Sequence, residues 1–216
     1  MKKLKVLVAC EESQAVCIEF RKLGHEAFSC DIQDCSGGFP EWHITGCAIE
    51  AAYSQHWDLM IGHPPCTYLT YAGTAHWNKP GRLEKRLDAL NFFAKLWEAP
   101  IDKICLENPK GCASPTIAKY SQEIQPYYFG DPQTKTTWLW LKNLPALQHS
   151  KSETLFESKT SVKVEHTMFY TTGTKAGKPI AWTDCYPPGP DRAKLRSKNL
   201  PRHSKGNGRP MVKHIK

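Results

Sequence analysis

Two pairs of residues combine a reactive side chain with a position at the end of an apolar run. Pro65-Cys66 follows the run 57–62, and Glu107-Asn108 closes the run 103–107 about 40 residues later. A cysteine thiolate is a nucleophile and a carboxyl group can act as a general acid, so the two suit covalent catalysis. Each also has an ordinary structural interpretation: a cysteine after a buried strand is usually an inert small apolar side chain, and a glutamate can cap a loop.

The elements that must position these pairs follow from the apolar periodicity. Short apolar runs predict strands at 4–10, 27–31, 57–62, 103–107 and 135–141. Helical spacing predicts a helix at 13–23, which Gly24 ends, and another at 82–96. Strands that alternate with helices predict right-handed crossovers and a mainly parallel, doubly wound α/β sheet.

The expected sheet brings the candidate residues to one edge. Ligands of doubly wound sheets collect beyond the carboxyl ends of the strands. Four predicted strand ends carry polar or reactive side chains: Cys10-Glu11, Asp31, Pro65-Cys66 and Glu107-Asn108. Their shared location makes each of them a candidate site residue.

In order and spacing, Pro65-Cys66 and Glu107-Asn108 resemble the two signature motifs of the DNA cytosine-C5 methyltransferases. The resemblance extends from residue 4 to about residue 147. It implies a Rossmann-like doubly wound sheet of the class I S-adenosylmethionine-dependent methyltransferase type. It also implies that Cys66, beside Pro65, adds to C6 of cytosine, while Glu107 protonates or hydrogen-bonds N3. Asn108 would hold the loop or the base, and the DNA partner would present its cytosine flipped out of the duplex.

The cofactor that the resemblance implies is S-adenosyl-L-methionine. In place of the family's Gly-rich first loop the chain has Cys10-Glu11-Glu12-Ser13-Gln14, which resembles a divergent, often phage-encoded branch. Asp31 matches the acid that receives the ribose hydroxyls. Cys47 stands where the family has an aspartate for the adenine amino group, and a thiol is a weaker acceptor. The implied cofactor-binding residues are Cys10, Glu11, Ser13, Asp31, Ile32, Cys47, His63 and Pro64.

Polar side chains further along match part of the family's substrate-contacting strand. Gln133 and Lys135 lie where the family carries Gln-x-Arg-x-Arg, so the resemblance implies that they contact the substrate. Lysine offers a point charge rather than the planar fork of arginine, so bidentate contacts would be lost. Trp138 and Trp140 alternate with leucines and are expected to pack within the strand rather than stack on bases.

Composition predicts one globular domain, because 40% of the 216 residues are hydrophobic and 23% are charged. We expect a methyltransferase-like catalytic domain over 1–147, a short variable region over 148–190 and a basic tail over 191–216. The variable region is short for the separate target-recognition domain of sequence-specific members. In the tail nine Lys and Arg residues face only Asp191, which suits a phosphate backbone but is also typical of a disordered basic tail.

The last residues support a hypothesis about the gene. Members of the divergent branch end in a helix resembling FPGIAKAMADQW, whereas residues 200–211 of this chain read LPRHSKGNGRPM. One choice of codons for 201–211, read from its second base, encodes PGIAKAMADQW. The hypothesis is that roughly the last 16 residues come from a shifted reading frame.

Cysteine usage and the apolar runs bear on the compartment. Nine cysteines, an odd count with neither an export signal nor a CxxC pair, favour reduced thiols over disulfides or a zinc site. No run approaches the length of a membrane span, so we expect a cytoplasmic protein of a bacterium or a phage-infected cell. Two alternatives to DNA methylation stay open. One is a catalytically silent relative that binds nucleic acid or a protein partner, and the other is a modifier of free pyrimidine nucleotides.

Overall fold

The computed structural model describes residues 2–150, 159–164 and 169–180. The chain divides into two compact units. The first consists of Met1–Glu123 and Thr137–Ala146, and the second of Ile124–Thr136 and Leu147–Lys216. The candidate thiol and carboxyl groups, Cys66 and Glu107, both belong to the first unit.

Strands and helices alternate through most of the first unit. In chain order the elements are β1 (Lys5–Ala9), α1 (Ala15–Lys22), β2 (Glu26–Asp31), β3 (His43–Thr45), α2 (Ala48–Ser54), β4 (Leu59–Gly62), α3 (Arg82–Trp97), β5 (Lys103–Pro109), α4 (Ala113–Thr116), β6 (Gln122–Ile124) and β7 (Thr137–Lys142). The strands form a seven-stranded sheet in the order β3-β2-β1-β4-β5-β7-β6.

The pairing of the strands identifies the fold. Strands β3, β2, β1, β4 and β5 run parallel to one another, whereas β7 pairs antiparallel to β5. The order reverses direction beside β1, and this switch point is where ligands of doubly wound sheets bind. The expectation of a Rossmann-like doubly wound sheet of the class I methyltransferase type is therefore confirmed.

The core lies on both faces of the central strands. Val6, Leu7, Val8 and Ala9 of β1 are fully buried, as expected for a parallel strand covered on both sides. On one face Phe93 of α3 packs edge-on against Trp140 of β7, with 4.9 Å between the ring centroids. The expectation that Trp138 and Trp140 pack within the strand agrees with their burial.

The predicted elements are present with shifts of one or two residues at most of their ends. The last predicted strand, 135–141, begins only at Thr137, so Lys135 precedes it. No pattern in the sequence indicates β3, α2 or β6, because these elements are too short for a periodic pattern to stand out. The antiparallel direction of β7 was also not foreseen.

The second unit has little regular structure among its described residues. A 3₁₀ turn at Pro126–Phe129 is followed by Gly130 at positive φ. Tyr128 stacks on His149 at 4.1 Å between ring centroids, and the Val162 amide donates to the Tyr127 carbonyl at 2.9 Å. The expected tail, 191–216, and Cys185 lie outside the described residues.

Two other kinds of feature, a membrane-spanning helix and a cluster of metal ligands, are absent from the described ranges. No helix there has both the length and the apolar sequence that crossing a membrane requires. In that part of the chain no three His, Cys, Asp or Glu side chains form a group that could hold a metal ion. The cysteines that the structure describes form no disulfide bonds with one another.

Candidate active site

The segment that carries the candidate nucleophile leaves the sheet at the end of β4. The His63 amide still donates to the Ala9 carbonyl of β1, at 3.0 Å, but the two prolines that follow have no N–H to continue the ladder. Pro64 is buried, whereas Pro65 and Cys66 are exposed. The Cys66 carbonyl accepts from the amides of Leu69 and Thr70, both at 3.0 Å, so a tight turn follows the thiol at once.

The candidate acid lies at the end of the neighbouring strand. Glu107 of β5 is largely buried, and its Oε2 lies 2.8 Å from Nδ1 of His63. Asn108 is buried, and its Nδ2 donates to the Pro64 carbonyl at 2.7 Å. Both residues of the Glu107-Asn108 pair are therefore bonded to the His63-Pro64 segment that leads into Cys66.

Backbone contacts between the two loops strengthen this connection. The Tyr71 amide donates to the Lys110 carbonyl at 3.0 Å, and the Cys112 amide donates to the Leu69 carbonyl at 2.9 Å. Between them Gly111 passes so close that a Cβ atom would lie 2.2 Å from the Leu69 oxygen. The chain after Cys66 and the chain after Asn108 are thus held side by side, and glycine permits the approach.

The first loop is built differently from a Gly-rich loop. Cys10 and Gln14 adopt positive φ angles of 61° and 57°. The carboxylate of Glu11 accepts from the first amides of α1, those of Val16 at 2.6 Å and Cys17 at 3.2 Å, and so caps this helix. The side-chain amide of Gln14 bonds both the carbonyl and the amide of Phe39, at 2.8 and 3.0 Å. Side chains, rather than glycines, define the shape of this loop.

Glu11 is a buried carboxyl group close to His63. Its side chain lies in the interior, and burial raises its pKa because a charge is poorly solvated there. The positive charge of a protonated His63, together with the Val16 and Cys17 amides, opposes this increase. Glu11 therefore belongs electrostatically to the same group as His63 and Glu107.

Most of the residues implied for cofactor binding follow β1 and β2, whereas Cys47 lies at the start of α2 and His63-Pro64 follows β4. Burial raises the pKa of the Cys10 thiol far above its usual value, and the nearby Asp31, Cys30 and Cys47 raise it further. Asp31 is half-buried, with one carboxylate oxygen accepting from the Gln33 amide at 3.0 Å. Ile32 beside it is 79% exposed, a large apolar surface next to a carboxylate. Ser13 is half-buried in the first loop, and its hydroxyl accepts from the Ala15 amide at 3.5 Å.

The two residues implied for substrate contact belong to the second compact unit. Gln133 and Lys135 are half-buried and lie before β7 rather than within a strand. The Lys135 amide donates to the side chain of Gln125 at 3.0 Å, and the Gln133 amide donates to the Asp131 carbonyl at 2.7 Å. Their role in substrate contact stays a prediction.

A group of cations was not predicted from the sequence, and it lies beside the loop 66–70 that carries Cys66, here called the thiol loop. The guanidinium of Arg82 lies over the ring of Tyr68, 4.4 Å from its centroid, and Lys85 lies 5.8 Å from the same ring. Arg86 lies over Trp77 at 3.9 Å. Tyr68 is two residues from Cys66, so positive charge borders the nucleophile. The feature of the sequence that could have indicated this group is the close spacing of Arg82, Lys85 and Arg86.

Comparison with known proteins finds likeness in backbone structure only. No protein-family model matches the sequence, and neither does any curated protein. A DNA modification methyltransferase encoded within an E. coli prophage is similar with a TM-score of 0.43 and 12% identity, over 64% of this chain and 46% of that one. The S. pombe Dnmt2 methyltransferase is similar with a TM-score of 0.44 and 14% identity, over 67% and 51%. The bifunctional kinase-methyltransferase WbdD is similar with a TM-score of 0.41 and 14% identity, over 68% of this chain and 39% of that one. The chain spans about half of the first two structures and less of the third, so activities named for those whole proteins do not transfer to it.

Proposed function

We propose that the chain transfers a methyl group to C5 of cytosine in DNA through a covalent bond between Cys66 and C6. One observation carries the proposal: the Glu107-Asn108 end of β5 is hydrogen-bonded to the His63-Pro64 segment that delivers Cys66. A nucleophile and an acid on separate crossover units are thereby joined at one edge of the sheet, next to the switch point between β1 and β4 where substrates of such sheets bind.

Cys66 supplies the nucleophile. C5 of cytosine reacts poorly with a methyl donor until the Cys66 thiolate forms a bond to C6 and pushes the C5–C6 π electrons toward C5 and the ring. After methyl transfer a base removes the C5 proton, the Sγ–C6 bond breaks and the thiolate is regenerated. The exposed position of Cys66 makes the sulfur accessible to a base that has left its stack.

Glu107 stabilises the charge that the attack creates. A proton given to N3, or a hydrogen bond to it, neutralises the electron density that the thiolate pushes into the ring. His63 fixes the orientation of the carboxyl group through the 2.8 Å contact with Oε2. Asn108 holds the loop through its bond to the Pro64 carbonyl, so that the thiol and the carboxyl group keep their relative position.

The cofactor would lie against the ends of β1 and β2. S-adenosyl-L-methionine supplies the methyl group when bound. Asp31 offers a carboxylate for ribose hydroxyls, and Ile32 offers an exposed apolar side chain on which the adenine can rest, so these residues fit the cofactor. Cys47, at the start of α2, offers only a weak acceptor to the adenine amino group.

DNA would approach over the cations beside the thiol loop. Arg82 and Lys85 flank Tyr68, and stacking over its ring restricts their side chains without removing their charge. Phosphate contacts of this kind position the duplex and make affinity fall steeply as salt increases.

Covalent trapping on fluorinated DNA tests the proposal. The substrate is a pool of random duplexes with 5-fluorocytosine in place of cytosine. A base cannot remove the C5 fluorine as it removes the C5 proton, so the adduct should persist. With S-adenosylmethionine present, a slower band should appear on a denaturing gel. Cys66→Ser should abolish this band, whereas Cys35→Ser, which removes a half-buried thiol outside the site, should retain it.

Two results would contradict the proposal. One is the absence of a band with folded wild-type protein, and the other is a band that persists in Cys66→Ser. If 5-fluorodeoxycytidine monophosphate alone is trapped and the duplex is not, the substrate is a free pyrimidine nucleotide instead.

A second function, nucleic-acid binding without methyl transfer, is favoured by the first loop. The carboxylate of Glu11 occupies the amides of Val16 and Cys17, which a Gly-rich loop would leave to a ligand. Titration calorimetry separates the two functions. Heat on adding S-adenosylmethionine supports the enzyme, whereas DNA binding with no such heat supports the silent relative.

A further inference from the structure

Three ionisable side chains form a row across the carboxyl ends of β1, β4 and β5. Ala9 of β1 pairs with Gly62 of β4, which in turn pairs with Leu106 of β5. Just beyond these positions lie Glu11, His63 and Glu107, so His63 follows the strand that lies between the strands leading to the two carboxyl groups. The His63–Glu107 contact is 2.8 Å, and Glu11 lies within electrostatic reach of the ring.

We propose that Glu11 and His63 act as positioning residues: His63 supplies Glu107 with a proton during methyl transfer, and Glu11 stabilises the protonated ring of His63. This inference rests on the proposed function, because the proton that His63 supplies is needed at N3 during methyl transfer to cytosine. We call this transfer of a proton the relay. Neither Glu11 nor His63 touches the cytosine in this scheme; both act through Glu107.

The relay moves one proton and conserves charge. In this scheme the ring of His63 is protonated at rest, and its Nδ1–H lies in the 2.8 Å contact with Oε2 of the Glu107 carboxylate. When Cys66 attacks C6, Nδ1 gives this proton to the Glu107 carboxylate, and the resulting carboxyl group passes one proton to N3. The imidazole is then neutral and Glu107 is a carboxylate again. When the thiolate leaves C6, the N3 proton returns by the same route. Glu11 offsets the charge of the imidazolium while it exists.

The surroundings of the row are compatible with this exchange. Glu12 and the Cys17 thiol are the other titratable groups that interact with Glu11. On the other side Cys105 interacts with Glu107, and burial keeps that thiol protonated with a pKa of about 12. Neither cysteine competes for the proton near neutral pH. Glu12 is engaged elsewhere, by the hydroxyl of Ser36.

The titration of His63 tests the relay without any need for activity. Ring ¹⁵N signals of labelled protein, assigned with His63→Asn, follow the imidazole through the pH range. Glu11→Gln keeps an oxygen for the Val16 amide and should lower the midpoint of His63 by about one pH unit or more, as should Glu107→Gln. The control Glu12→Gln removes the neighbouring charge and should produce a smaller shift.

A second measurement needs no substitution at the site. In the wild type the ¹³C signal of the Glu11 carboxyl carbon should change over the same pH range as the His63 ring, because coupled groups titrate together. Separate transitions overturn the relay. So does a His63 midpoint that Glu11→Gln leaves unchanged or shifts no more than Glu12→Gln does.

Kinetics distinguishes failure of the relay from failure of the proposed function. At saturating cofactor, Glu11→Gln should slow adduct formation about tenfold, the equivalent of one pH unit, with KM for DNA unchanged. If the wild type forms no adduct, the proposed function fails, and the His63 titration still decides whether the proton is shared. If the wild type forms adduct and Glu11→Gln matches its rate, only the relay fails.

Discussion

Gly111→Ala should separate the two loops that hold the candidate nucleophile and acid. The added Cβ would lie 2.2 Å from the Leu69 oxygen, whereas an ordinary contact needs at least 3.4 Å, so the loops must part by about 1 Å. Gly111 is not at positive φ, so alanine brings no backbone strain there and the substitution tests only the contact with Leu69. Overpacking of this size costs about 1–3 kcal/mol of unfolding free energy. Misplacement by 1 Å slows a reaction between positioned groups about 100-fold.

Urea unfolding and the rate of adduct formation on fluorocytosine DNA measure the two effects separately. The matched control is Gly73→Ala in the loop that follows Cys66. Its Cβ would meet its nearest neighbour, the Arg82 guanidinium, at an ordinary 3.6 Å. The reasoning is refuted if folded Gly111→Ala forms adduct as fast as Gly73→Ala, because the loop contact would then not position the reacting groups.

Asn108→Ala leaves the buried Pro64 carbonyl without its donor, so urea unfolding should show a loss of about 1–3 kcal/mol; an unchanged midpoint contradicts this. Iodoacetamide at pH 8 should modify exposed Cys66 well before buried Cys105, whose pKa of about 12 leaves almost no thiolate there; peptide mapping that finds equal rates would falsify it. The codons of residues 201–211 should permit the PGIAKAMADQW reading, and sequencing the encoding DNA decides this directly.

Local patterns were sufficient to predict the strands that carry the site. The apolar runs before Cys10, Asp31, Cys66 and Asn108 have the length and the composition of buried strands, and each became a central parallel strand. Placing their ends at one edge needed only the general rule for alternating strands and helices. The location of the candidate residues was therefore predictable, although their contacts were not.

The contacts that join the site depend on the register between strands. That His63 meets Glu107 follows from the pairing of Gly62 with Leu106, which no local pattern reveals. The Glu11 carboxylate reaches the first amides of α1 only because the first loop turns through positive φ at Cys10 and Gln14. Cysteine and glutamine are not among the residue types that favour positive φ, such as glycine and asparagine, so the sequence does not indicate this conformation.

The Gln14 side chain pairs with the backbone of Phe39 as a neighbouring strand would. Gly37 lies beneath this contact, where a Cβ atom would stand 2.6 Å from Cβ of Gln14. The backbone oxygen of Ser13 would lie equally close, at 2.6 Å, so position 37 should remain glycine among homologous chains whatever side chain stands at position 14. A side chain at 37 would push the two loops apart and break both bonds between Gln14 and Phe39.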